Sequence, residues 1–157
     1  MKGRVGCFLN DLGLLSIRLA LAAVFLYHGS QKLFGLFGGP GLAQFEEMLG
    51  SQGFPMPQLS AYLAGGAEFF GGLAMLLGVL TRLAAIPLMV TMAVAAFKVH
   101  GHAFSLQHGG MEYALTLLLI SLGLFFTGPG RISLDALIWR KRPAAAAPTA
   151  IPVHAEA

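Results

Sequence analysis

Apolar residues fill four long stretches of the chain, near 12–36, 59–80, 83–97 and 113–127, and polar residues gather in the segments between them. Stretches of this length, about 20 residues at the longer end, suit helices that cross a hydrocarbon core. The first predicts a helix from Asp11 or Leu12 to Leu33 or Leu36, ended by Gly35, Gly38, Gly39, Pro40 and Gly41, a density of breakers no helix sustains. Pro55 and Pro57 lead into a second helix over 59–80. Thr81 and Arg82 then leave so short a turn that a third helix, over 83–99, must return beside the second as its antiparallel neighbour. A fourth spans about 111–127 and stops before Gly128-Pro129-Gly130. Ala20, Ala23 and Gly29 in the first helix, and Gly66, Ala67, Gly71 and Ala74 in the second, are small enough for close helix contact.

Two intervening segments are amphipathic. Leu42, Phe45, Met48 and Leu49 recur at helical spacing while Gln44, Glu46 and Glu47 take the remaining surface, which predicts a short helix resting at the membrane interface or packed on the bundle mouth. After the fourth helix, residues 131–142 resemble a surface anchor, with Trp139 at headgroup level beside Arg140, Lys141 and Arg142. Residues 143–157, rich in Pro and Ala, read as a disordered tail, because so few apolar groups cannot offset the entropy of ordering. The expected architecture is all-α: a single domain over 1–142, with four transmembrane helices in an antiparallel bundle and short interfacial helices after the first and the fourth.

Composition agrees with insertion in a membrane. Hydrophobic residues make up 56% of the chain and charged residues 11%, against about 25% charged in soluble domains. The basic start, Met1-Lys-Gly-Arg, resembles a secretion signal, but Arg18 interrupts the apolar run and further spans follow, so a retained first helix is expected. Lys2 and Arg4, Arg82, and Arg131 with Arg140, Lys141 and Arg142 share one side if all four helices span, which places both termini in the cytoplasm. The single Cys7 excludes an intramolecular disulfide, so any redox role must use a cofactor or a partner.

The candidate chemistry is a set of polar residues inside apolar helices, where charge usually needs a partner or a function. By helical rise Arg18 lies roughly 9 Å from the inner face and Glu68 roughly 18 Å. Arginine's long stem can narrow that gap, which predicts an Arg18–Glu68 ion pair that either serves a site or fixes helix register. His28 and Lys32 share one face of the first helix, with Gln31 beside them. They could hold the oxygens of a quinone or an anionic sulfur compound while Glu68 or Glu112 exchanges protons; the plainer reading has Lys32 reaching the headgroups and His28 satisfying a backbone carbonyl. His100, His102, His108 and Glu112 carry suitable donors without the spacing of a metal motif, and no metal site is expected. No phosphate loop, dinucleotide fingerprint, nucleophile elbow or zinc-protease motif occurs.

Arg18, His28-Gly29-x-x-Lys32-Leu-Phe-Gly35, Gly65-Gly-Ala-Glu68-Phe-Phe-Gly-Gly72, Leu77-Gly78-x-x-Thr81-Arg82, Glu112, Gly128-Pro-Gly130 and Leu134-Asp135 together resemble the DoxX family of small bacterial inner-membrane proteins, over about residues 12–138. The resemblance implies a four-helix membrane protein linked to quinol oxidases, to thiosulfate:quinone oxidoreduction, or to complexes that handle oxidative and thiol stress. It makes the chain an accessory or small-molecule-binding subunit of such an assembly, with a quinone as the candidate cofactor and Arg18, His28, Gln31, Lys32, Glu68 and Glu112 as the polar site. The alternative is a non-enzymatic scaffold or a transporter-like module. Expected partners are membrane lipid, other membrane or redox proteins and a second copy of the chain, with no nucleic acid among them.

Overall fold

A computed structural model of the chain describes residues 2–138, and every regular element among them is helical. Helix α1 is Lys2–Phe34, α2 Gly41–Ser51, α3 Pro57–Leu77, α4 Thr81–Val94, α5 Glu112–Thr127 and α6 Leu134–Ile138. A π-helical turn, Ala95–Val99, extends α4, and 3-10 turns occupy Leu36–Gly38 and Leu106–His108. Three helical stretches are long and apolar enough to cross a membrane: Gly6–Phe34 with 29 residues, Pro57–Leu77 with 21 and Thr81–Val99 with 19. The fourth apolar helix, α5, has 16 residues, about 24 Å at the helical rise. The anchor residues Trp139 to Arg142 and the tail 143–157 lie outside the described residues.

Helix α1 starts about nine residues earlier than expected. The polar residues before Leu12 end the apolar stretch, but Gly3 and Gly6 alone do not end a helix, so the backbone continues through them. The expected helix over 41–50 forms as α2. Its Phe45 and Leu49, four residues apart, pack on Ala61 of α3, while Met48 stays exposed.

The main core joins Leu21, Ala22 and Phe25 of α1, Met75 of α3, Leu88 and Met92 of α4, and Leu117 and Leu124 of α5. The outer faces carry Leu63, Phe70, Leu83, Val90 and Phe126, each more than half exposed. A surface this apolar suits lipid and exceeds what a monomeric protein shows to water. Glycines bring α1 and α3 together in opposite directions. A Cβ on Gly29 would sit 2.5 Å from Phe69 N, one on Gly72 would sit 2.9 Å from Leu26 N, and one on Gly78 would reach the Arg18 guanidinium at 2.7 Å. Residue numbers rise along α1 as they fall along the facing side of α3, and this register sets which charges can meet.

The register overturns the expected Arg18–Glu68 pair. Arg18 faces the end of α3, at Met75 and Leu76, seven and eight residues beyond Glu68, and is buried among carbonyl oxygens. Its Nε donates to Met75 O at 3.0 Å, its Nη1 to Pro129 O at 2.7 Å and Ile132 O at 2.8 Å, and its Nη2 to Leu76 O at 3.4 Å. The last carbonyls of a helix have no partner of their own, and Arg18 supplies one to two of them. Asp135 does the converse at the next helix: its carboxylate accepts from Leu80 N at 2.8 Å and Thr81 N at 3.1 Å, where α4 begins with unpaired N–H groups. Asp135 N also donates to Gly78 O at 2.9 Å, and Asp11 Oδ1 accepts from Arg131 N at 2.9 Å. The segment 128–135 thus clamps α1, the end of α3 and the start of α4 together.

Candidate functional site

Glu68 lies in the middle of α3, 1% exposed, and its Oε1 accepts from Lys32 Nζ of α1 in a salt bridge. Lys32 can reach it because the register places Lys32 beside Gly65, one turn from Glu68, with no Cβ on Gly65 to hold the helices apart. The other carboxylate oxygen, Oε2, is buried and has no hydrogen-bond partner among the described residues. A buried polar atom without a partner is uncommon, and its cost argues for a use. Lys32 keeps 24% of its side chain exposed. Its ammonium also sits 5.3 Å from the centre of the Phe45 ring, so α2 covers the pair from the side.

His28 and Gln31 stand within about one turn of Lys32 on α1. His28 Nδ1 lies 3.1 Å from Gln31 Oε1, a pairing within one turn of α1 that orients the imidazole. The His28 ring meets Tyr27 edge-on at 5.3 Å between centroids and faces Tyr113 of α5 at 6.3 Å. Tyr113 is also close enough to Glu68 to feel its charge. Four of the six residues expected at the site therefore come together in two contacting pairs, Lys32 with Glu68 and His28 with Gln31. The other two do not join them. Arg18 belongs to the clamp, and Glu112 Oε1 accepts from Leu106 N at 2.6 Å, closing the loop before α5.

The loop histidines also serve the backbone. His100 Nδ1 lies 2.8 Å from Gly109 O and His102 Nε2 3.1 Å from His108 O. Among the described residues no three His, Cys, Asp or Glu side chains gather as metal ligands would. An open groove at the clamp end is lined by Leu80, Arg82, Pro129 and Asp135. It is a surface feature between the α3–α4 turn and the C-terminal segment. The buried, half-partnered carboxylate is the better mark of a site. Sequence reasoning missed Tyr113 and Phe45 as neighbours of the pair, and nothing in their spacing signalled it, since each comes from a different element.

Comparison with known proteins bears on this geometry. The DoxX family profile matches residues 13–101, which include the Lys32–Glu68 pair. An uncharacterised membrane protein of Mycobacterium tuberculosis is 37% identical over 83% of this chain and 84% of its own. The inner membrane protein YqjF of Escherichia coli is 32% identical over 85% of this chain and 97% of its own. CatD of Bacillus subtilis, provisionally named an oxidoreductase, is 29% identical over 83% of this chain and 90% of its own. No solved structure matches the chain.

Proposed function

The chain belongs to the DoxX family of membrane proteins, and from that membership we propose that it is an inner-membrane accessory or small-molecule-binding subunit of a quinone-linked redox or thiol- and oxidative-stress assembly. The observation that carries this reading is the buried Glu68 carboxylate, joined on one oxygen to Lys32 and unpartnered on the other. An ionisable group at this depth among apolar helices is a functional site by default. In this reading α5 completes a four-helix antiparallel bundle, α2 lies at the membrane surface, and both termini face the cytoplasm. The oxidoreductase name of the Bacillus subtilis relative adds weight to a redox setting.

The donor set fits a quinone headgroup. Quinone oxygens accept hydrogen bonds, and Lys32, His28 and Tyr113 present an ammonium, an imidazole and a phenol from two helices. A quinone held there would supply two-electron, two-proton redox chemistry. The chain's own residues do the rest: Lys32 and His28 orient acceptor oxygens, Gln31 fixes the imidazole, Glu68 Oε2 holds or gives up a proton, and the Phe45 ring flanks the Lys32 ammonium.

Purification from native membranes, followed by mass spectrometry of lipids, quinones and accompanying proteins, tests the reading. Quinone enriched over bulk lipid, together with a redox protein, is the expected result. Specific protein partners with no quinone would instead support the scaffold.

A further inference from the structure

We propose that the Lys32–Glu68 pair is an electroneutral, proton-linked anion site: an anion that takes the Lys32 ammonium binds together with one proton, which Glu68 takes up. The inference uses the same residues as the quinone reading but does not depend on a quinone.

The two partners are unequally placed. Glu68 is 1% exposed and Lys32 24%, so a ligand reaches the ammonium before the carboxylate. Nζ carries three N–H donors, and Glu68 Oε1 is the acceptor it meets. The carboxylate, in turn, has Lys32 as its counter-charge. On α5, Tyr113 is close enough to Glu68 to feel its charge and meets the His28 ring of α1 at 6.3 Å between centroids. On α2, Glu46 is half-buried and Glu47 exposed, and both carry the wrong sign to replace Lys32. On α4 the cation is Arg82, at the far end, where it donates to Phe126 O at 3.1 Å. Lys98, in the turn after α4, sits 3.8 Å from the centre of the Phe54 ring.

An anion drawn to Lys32 therefore removes the charge that compensates Glu68. An isolated carboxylate among packed apolar helices is far costlier than the neutral acid. Charge balance gives the same answer. Before binding, one ammonium and one carboxylate sum to zero; after binding, one ammonium, one anion and one neutral acid also sum to zero, with the proton drawn from water. Binding without the proton would leave a net negative charge between the helices. Oε2, which has no donor to satisfy it, is free to receive the proton.

The test uses thiocyanate as the probe anion, titrated into the protein in nanodiscs of zwitterionic lipid without quinone. Infrared spectra follow the nitrile band of bound thiocyanate and the carbonyl band of a protonated carboxyl group. In the wild type both bands should rise together, and affinity should fall about tenfold per pH unit as pH rises, as one proton per anion requires. Glu68→Gln should retain the nitrile band, lose the carboxyl band and bind independently of pH. Lys32→Met should bind no anion, while Lys32→Arg, which keeps the charge and controls for folding, should bind. Wild-type binding that ignores pH, a bound nitrile band without the carboxyl band, or no bound anion would each overturn the proposal. Coupled thiocyanate binding, together with no quinone enriched on purification from native membranes, would remove the quinone reading alone.

Discussion

Arg18 and Glu68 are both 1% exposed, yet they are neutralised in different ways. Arg18 spreads its charge over four backbone carbonyls, and Glu68 relies on one lysine. The difference predicts distinct mutational behaviour. In a double-mutant cycle on folded protein in nanodiscs, Lys32→Met and Glu68→Gln should couple by about 0.5–3 kcal/mol. Arg18→Ala and Glu68→Gln share no partner, so their effects should add to within about 0.5 kcal/mol; strong coupling between them would contradict the observed register. Arg18→Ala alone should cost about 2–5 kcal/mol, because it leaves several buried carbonyls without donors. Which residues mattered was legible from charges inside apolar stretches, and Arg18 and Glu68 both stood out for that reason. Their partners were not legible, because depth along a helix does not say which face meets which neighbour.

At the scale of elements, apolar periodicity and breaker residues located every long helix. The amphipathic pattern of Leu42, Phe45 and Leu49 located α2 and the face it buries. The α1–α3 register could not be read the same way. The three-residue turn 78–80 constrains the helices it joins, but α1 and α3 are separated by α2 and two loops, so close glycine contacts set their register. Gly29 is the most sensitive of these near the site, since any Cβ there meets Phe69 backbone at 2.5 Å. Gly29→Leu should push α1 from α3 and cost about 1–3 kcal/mol. The same variant should lower the Lys32–Glu68 coupling in the cycle above. An unchanged coupling would show that the pair forms without this close approach. The C-terminal clamp was also hidden from pattern reading, because the Pro129 carbonyl meets the distant Arg18 side chain and Asp135 meets backbone N–H groups at the start of α4.

For the molecule as a whole, the three long spans and the apolar outer surface fit a multi-pass membrane protein. The clamp gathers Arg82 and Arg131 at one end, and the Lys32–Glu68 pair lies towards the other. In the orientation we propose, with basic residues inside, the clamp is at the cytoplasmic face and α2 at the periplasmic face. Cysteines introduced in 38–55 and 101–109 should react with an impermeant label from the periplasm, and cysteines near either terminus should not. The reverse labelling would invert the orientation. Whether the polar face built on Lys32 and Glu68 binds a quinone is read by titrating a short-tailed, water-soluble quinone into the protein in nanodiscs. The wild type should bind saturably, and Lys32→Met, His28→Ala and Glu68→Gln should each weaken binding, Lys32→Met by about tenfold, a loss of about 1.4 kcal/mol. Saturable binding at wild-type affinity in all three variants, or none in the wild type, would contradict the quinone reading.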